Sequence, residues 1–168
     1  MLCLLSPFIY STIEVDGKLD EPEWESAKEI NQFYEVFPYS LKDADFPTKV
    51  LIHETDQGIF FGFSSSQKKE TIRAHQHQRD THFMRTNADL VGVMIDFDLD
   101  AVTAFDFYVS AGGSIGDAII KNEQQFDGDW DADWSSATFI SGDYWYAEIF
   151  IPWSIAPMRF QRGELRKV

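Results

Sequence analysis

The chain has only one cysteine, Cys3, so no disulfide can form within it, and cysteine usage neither demands nor excludes an oxidising compartment. It is short of basic residues: 14 Lys and Arg stand against 28 Asp and Glu in 168 residues, a formal net charge of -14. Such a charge repels phosphate backbones and anionic lipid headgroups, so nucleic acid is not an expected partner. Long hydrophobic runs are missing too; nothing approaches the roughly 20 apolar residues of a membrane-crossing helix, and no membrane span is expected in this segment. No His-Glu-x-x-His or phosphate-loop pattern occurs, which removes the most legible zinc-protease and nucleotide chemistries. The opening MLCLLSPFIY has no basic flank and is too short for a full signal peptide; it reads as a remnant of one running into a first strand.

What is present is apolar material in short pieces. With 44% hydrophobic and 15% aromatic residues the chain can fill a core without metal or disulfides, and its length fits a single domain over residues 1–168. The runs alternate with period two and are broken by turn residues, the pattern of an antiparallel sandwich and not of alternating strand and helix. Strands are expected at Tyr10 to Val15, Gln32 to Phe37, Thr48 to Glu54, Ile59 to Ser64, Leu90 to Phe97, Ala104 to Ser110, Ile115 to Ile120, Ala137 to Ser141 and Tyr144 to Ile151. Glycine-containing turns at Thr55 to Gly58, Ala111 to Gly113 and Ser141 to Asp143 join neighbours as hairpins. One short N-terminal helix is expected, capped by Asp20, with Pro22 in its first turn and Glu23 three after the cap, ending near Lys28. The polar stretch from Gln67 to Asn87 is long enough to be a functional loop or to carry a short helix of its own. The predicted fold is all-β: a two-sheet, jelly-roll-like antiparallel sandwich.

The blocks DGKLDEPEW (Asp16 to Trp24), TKVLIHETDQGIFFGF, QRD (Gln78 to Asp80), DLVGVMIDFD (Asp89 to Asp98), FDFYVSAGGSIGDA (Phe105 to Ala118), DWDADW (Asp129 to Trp134) and YWYAEIFIPWS (Tyr144 to Ser154) cover most of the chain. In order and spacing they resemble the carbohydrate-binding module family 9-like domains, in the version found at the N-terminus of bacterial outer-membrane and surface proteins. The resemblance implies a sandwich and a non-catalytic module recognising a carbohydrate, located in the periplasm, at the cell surface or outside the cell. It also implies a longer parent polypeptide, associated with carbohydrate metabolism or continuing into an outer-membrane barrel, because relatives run on through at least one more strand after the Ile-Pro-Trp-Ser block.

Sugar-binding members of that family clamp a terminal sugar between two tryptophans, assisted by charged side chains on adjacent strands. At the matching positions this chain has Arg85 and Thr86 for the first tryptophan, Gly92 for a strand glutamate and Tyr108 for an arginine. A different aromatic set is therefore expected to touch a ligand: Trp130, Trp134 and Tyr108, with packing under the acidic loop as the alternative for the two tryptophans. Trp24, Trp145 and Trp153 lie in apolar settings and read as core. Arg79 and Asp80 stand where the relatives carry Arg-Arg-Asp and are added to the ligand set, with a structural ion pair as the plainer reading.

In DGDWDADW the carboxylates of Asp127, Asp129, Asp131 and Asp133 recur at every second position, which on a strand aligns them along one face about 7 Å apart. Ala132 and Thr138 stand where an EF-hand needs glycine and glutamate, so an EF-hand is rejected; a looser Ca2+ site competes with a solvated acidic turn. For glycoside hydrolysis the in-strand acids Asp96, Asp106 and Glu148 form no recognisable pair. His53, His75, His77, His82, Met84 and Met94 could supply haem or metal ligands, but no spacing fixes a set and surface histidines explain them better. Against glycan binding stands a structural or partner-binding role as the soluble domain of an outer-membrane protein.

Overall fold

The structure is a computed structural model and describes residues 13–122 and 124–155. Two antiparallel sheets face each other. One has five strands, in the order β1 (Lys28–Ile30), β2 (Thr48–Glu54), β3 (Gly58–Ser66), β9 (Tyr144–Pro152) and β8 (Ser135–Ser141); the other has four, β4 (Leu90–Ile95), β5 (Thr103–Ser110), β6 (Ile115–Lys121) and β7 (Gln125–Asp127). This is the expected β-sandwich.

Strict alternation builds the core. Phe61 and Phe63 of β3, Trp145, Ala147 and Ile149 of β9, and Phe107 and Val109 of β5 point inward and form one buried cluster between the sheets. Phe107 is fully buried, a burial contributing about 2–3 kcal/mol on transfer from water. The outer face of the five-stranded sheet is covered by the chain before β1, where Ile13 and Trp24 pack on Leu51 and Phe60. Gly62 makes that close approach possible, since a Cβ there would lie 2.6 Å from Leu19 and 3.1 Å from Trp24.

The expected N-terminal helix is replaced by a five-residue 3-10 turn, Pro22–Ser26, with no side-chain cap. Trp24 is drawn into the sheet surface, and Glu21 uses its carboxylate on the Trp24 indole and the Glu14 amide instead of on a helix end. The chain then extends at Ala27 into β1, a strand that periodicity did not reveal because all three of its residues are exposed. Residues 32–37 do not form the expected strand: only Tyr34 makes a bridge, to Asp43, and the side chains of Val36 and Phe37 stand in solvent. Among the described residues no sheet face is present there to bury them. The first expected strand lies partly outside the described residues; its described part, 13–15, is not paired. β7 is likewise short and exposed, and likewise was not expected. The polar stretch before β4 carries a 3-10 turn, Lys69–Thr71, and a helix α1, His82–Asn87, anchored by the fully buried Met84.

Candidate functional site

With Phe105, Phe107 and Val109 inward, Asp106 and Tyr108 of β5 must face out from the four-stranded sheet. Tyr108 is paired in register with Gly92 on β4 and Gly116 on β6, and Asp106 with Met94 and Ala118. The Tyr108 ring lies flat over Gly116, where a Cβ would come within 2.3 Å of its Cζ and hydroxyl oxygen. Its other face is taken by Arg85, reaching down from α1 with its guanidinium carbon 3.8 Å from the ring centroid. Arg85 also donates to Asp106 at 2.6 Å, a carboxylate only 5% exposed. A cation over an aromatic face and a charge-assisted bond to a buried carboxylate together fix Arg85.

Beside this triad opens a recess of about 390 Å³, lined among others by Asp80, His82, Arg85, Tyr108, Ala118 and Phe126. Asp80 is held in a left-handed backbone conformation, φ +59°, which an aspartate tolerates better than most residues. Its Oδ1 accepts the Asp117 amide at 2.8 Å, closing the edge of β6 that β7 leaves unpaired. Burial pushes the Asp80 carboxyl above its ordinary range, against the Asp117 amide and Arg79, which pull it down. Phe126 stands at the rim on β7, 62% exposed.

The remaining expected site residues are placed elsewhere. Trp134 is 8% exposed and meets the edge of Phe107 at 5.6 Å between centroids, and Trp130 packs on Phe105 at 5.1 Å. Both are part of the core beneath the acidic loop, and neither lines the recess. Trp24 and Trp145 are buried, and Trp153 packs partly buried against the core. Arg79 donates to Asp117 at 2.5 Å and to the Ala132 carbonyl at 3.1 Å, and pairs with Asp131 at 2.8 Å and Asp80 at 3.3 Å. Asp117 completes the clasp by accepting the Ala132 amide at 2.7 Å. This clasp ties the 128–134 loop to β6 and explains why the tryptophans turn inward.

The row of four aspartates is not formed. β7 ends at Asp127, and the chain beyond it runs irregularly to Ser135. Among the described residues one acidic group has the spacing of a metal site, Asp80, Asp117 and Asp131 within 4.8 Å of one another. Arg79 pairs with each of the three. Its guanidinium supplies the positive charge that a calcium ion would bring, so these residues do not fit one. Asp127, Asp129 and Asp133 belong to no such group among the described residues.

Neither of two catalytic patterns is assembled among the described residues. Gly112-Gly113-Ser114-Ile115-Gly116 satisfies the Gly-x-Ser-x-Gly pattern, but it forms the β5–β6 hairpin and not a strand-to-helix elbow. Ser114 is buried and its hydroxyl accepts the His77 amide at 2.7 Å. The acids expected in strands are each engaged: Asp106 by Arg85, Asp96, just past the end of β4, by the Asp98 and Ala101 amides, and Glu148 by amides on the opposite face of the molecule.

No family model matches the chain, and no curated protein sequence does. Two solved structures share its architecture. A putative carbohydrate-binding protein from Bacteroides uniformis ATCC 8492 superposes with a TM-score of 0.59 at 11% identity, over 78% of this chain and 62% of that one. A carbohydrate-binding module family 9 domain from Caldicellulosiruptor kristjanssonii, in complex with cellotriose, gives 0.57 at 13% identity, over 88% and 67%. The chain thus spans about three fifths of the first and two thirds of the second. At such identities the likeness speaks for the fold: this chain has a carbohydrate-binding module family 9-like β-sandwich fold.

Proposed function

We propose that this domain is a non-catalytic carbohydrate-binding module that holds a glycan in the recess on the outer face of the four-stranded sheet. The observation that carries the reading is the recess itself. Its volume, about 390 Å³, falls in the range of small-molecule sites, and it combines an exposed aromatic ring with convergent polar groups. Arg85 and Tyr108, which the family resemblance aligns with a clamp tryptophan and an assisting arginine, line it. The bound cellotriose of the Caldicellulosiruptor module supports the ligand class. Binding without hydrolysis is favoured because the in-strand carboxylates are each held by other groups of the fold. The module would work in the periplasm, at the cell surface or in secreted form, in a parent protein concerned with carbohydrate metabolism.

The test is isothermal titration of the folded domain against neutral and acidic trisaccharides. Saturable heat with one sugar class, lost on substitution of recess residues, supports the reading; silence across the panel with an intact fold sinks it. A second reading, a structural or partner-binding domain of an outer-membrane protein, is favoured by the loop between β1 and β2, where Phe37 is 93% and Tyr39 79% exposed. Substitutions there would then abolish the association of the parent protein while leaving sugar titrations unaffected.

A further inference from the structure

Resting on the glycan-binding reading, we infer that Phe126 of β7 is the stacking platform of the recess, and that the recess takes a neutral pyranose and excludes uronic acids. A sugar needs an aromatic face open to its C–H face. Tyr108 has none to give: it is 6% exposed, with Gly116 beneath the ring and the Arg85 guanidinium above it. Trp130 and Trp134 are turned into the core. Among the Phe, Tyr and Trp rings that line the recess in the described residues this leaves Phe126, 62% exposed on an edge strand. An exposed phenylalanine beside a polar recess covers its face when a ligand arrives, and it does so without disturbing the core.

The charges then choose between sugars. Both guanidinium groups next to the recess are already paired, Arg85 with Asp106 at 2.6 Å and Arg79 with Asp117 at 2.5 Å and Asp131 at 2.8 Å. Asp80 faces the recess and adds a carboxylate. A uronate carboxylate entering there meets, among the described residues, guanidinium groups whose charge is already compensated, and it lies near Asp80, so the loss of its hydration is poorly repaid. Hydroxyls carry no charge to desolvate: they donate to Asp80 and accept from the Arg85 N–H groups that Asp106 leaves open.

The experiment uses the whole chain and four trisaccharides, cellotriose, mannotriose and xylotriose as neutral probes and trigalacturonate as the acidic one, titrated into wild type, Phe126→Ala and Phe126→Tyr. The expected result is that the tightest neutral probe binds at least tenfold better than trigalacturonate, that Phe126→Ala weakens it at least tenfold and that Phe126→Tyr keeps it. Because Phe126 is exposed, the alanine variant folds, which its circular dichroism checks. Equal or tighter binding of trigalacturonate overturns the charge argument, and unchanged binding by Phe126→Ala overturns the platform. If wild type binds none of the four, the glycan reading itself has failed, a failure seen in the parent and not in the variant.

Discussion

The carboxylate of Glu148, in the middle of β9, accepts the amide of Gly17 at 2.8 Å across 131 residues of sequence. The same carboxylate takes the Asp16 amide at 2.9 Å and the Trp24 indole at 3.2 Å, so one fully buried side chain holds the whole N-terminal cover against the sheet. Burial, reinforced by the neighbouring Glu21, raises its pKa from 4.5 to about 7, although the three N–H donors pull the other way. The folded chain therefore keeps a proton that the unfolded chain releases above pH 4.5. Stability from this group is full below that value, declines as pH rises to about 7, and loses about 3 kcal/mol in all. The urea unfolding free energy of wild type minus that of Glu148→Gln should fall by about 3 kcal/mol over that interval; a constant difference would show that Glu148 does not titrate there.

Gly116 is required by Tyr108. A methyl group at Gly116 would collide with the Tyr108 ring at 2.3 Å, so Gly116→Ala must lift the ring and with it the seat of Arg85. We expect a loss of about 1–3 kcal/mol, as for overpacking in a filled site. In a Tyr108→Ala background the same substitution should cost almost nothing, giving a coupling of similar size in the double-mutant cycle. Additive effects would mean that Gly116 is kept for its backbone alone.

Strands whose side chains alternate between core and solvent were legible in the sequence, and seven of them fall at or near their expected positions. β1 and β7 were not, because their side chains are exposed throughout and carry no period. The N-terminal turn was mistaken for a helix because Asp-x-Pro-Glu has the chemistry of a helix start, whereas the burial of Trp24 and the pairing of β1 stop it after five residues. Residues 32–37 looked like a strand from composition alone, and only a sheet face to bury them could have made them one.

For the site, the sequence exposed the polar residues and hid the direction of the aromatics. Asp80 and Tyr108, expected at the ligand, line the recess, but Tyr108 does so beneath Arg85. Trp130 and Trp134 could not be assigned to a face, because alternation has meaning only on a strand and the 128–134 segment is not one. The clasp from Arg79 to Asp117 that turns them inward joins residues 38 apart, a distance no motif encodes. Phe126 was overlooked since a lone aromatic in a polar stretch has no pattern. One signal was available: with Arg85 in place of a tryptophan and Tyr108 in place of an arginine, the charge had moved from the strand to the preceding helix.

Arg79 is the cation of its own acidic cluster. Asp117 is fully buried in its side chain, so removing the guanidinium leaves a carboxylate with neither water nor counter-charge. Arg79→Leu should therefore cost about 3–5 kcal/mol, the usual penalty for breaking a buried pair from one side. The same arrangement makes the wild-type melting temperature indifferent to millimolar calcium or to chelator. A rise in melting temperature with calcium that chelator reverses would show that an ion adds to the fold and that the guanidinium does not satisfy these carboxylates.

Trp134 separates packing from hydrogen bonding. Its ring is buried against Phe107, yet its indole nitrogen has no hydrogen-bond partner among the described residues. Shortening it to alanine removes the ring and opens a cavity under the loop, a loss of about 3–5 kcal/mol. Phenylalanine keeps an aromatic edge against Phe107 and deletes a buried donor that bonds to none of those residues, so Trp134→Phe should cost less than about 1.5 kcal/mol. Urea midpoints of the two variants decide it. If phenylalanine proves as damaging as alanine, the indole N–H is bonded to something that holds the loop, and a trapped water is the first candidate; if it is tolerated, Trp134 acts through shape alone and sugar titrations of Trp134→Phe should match the parent.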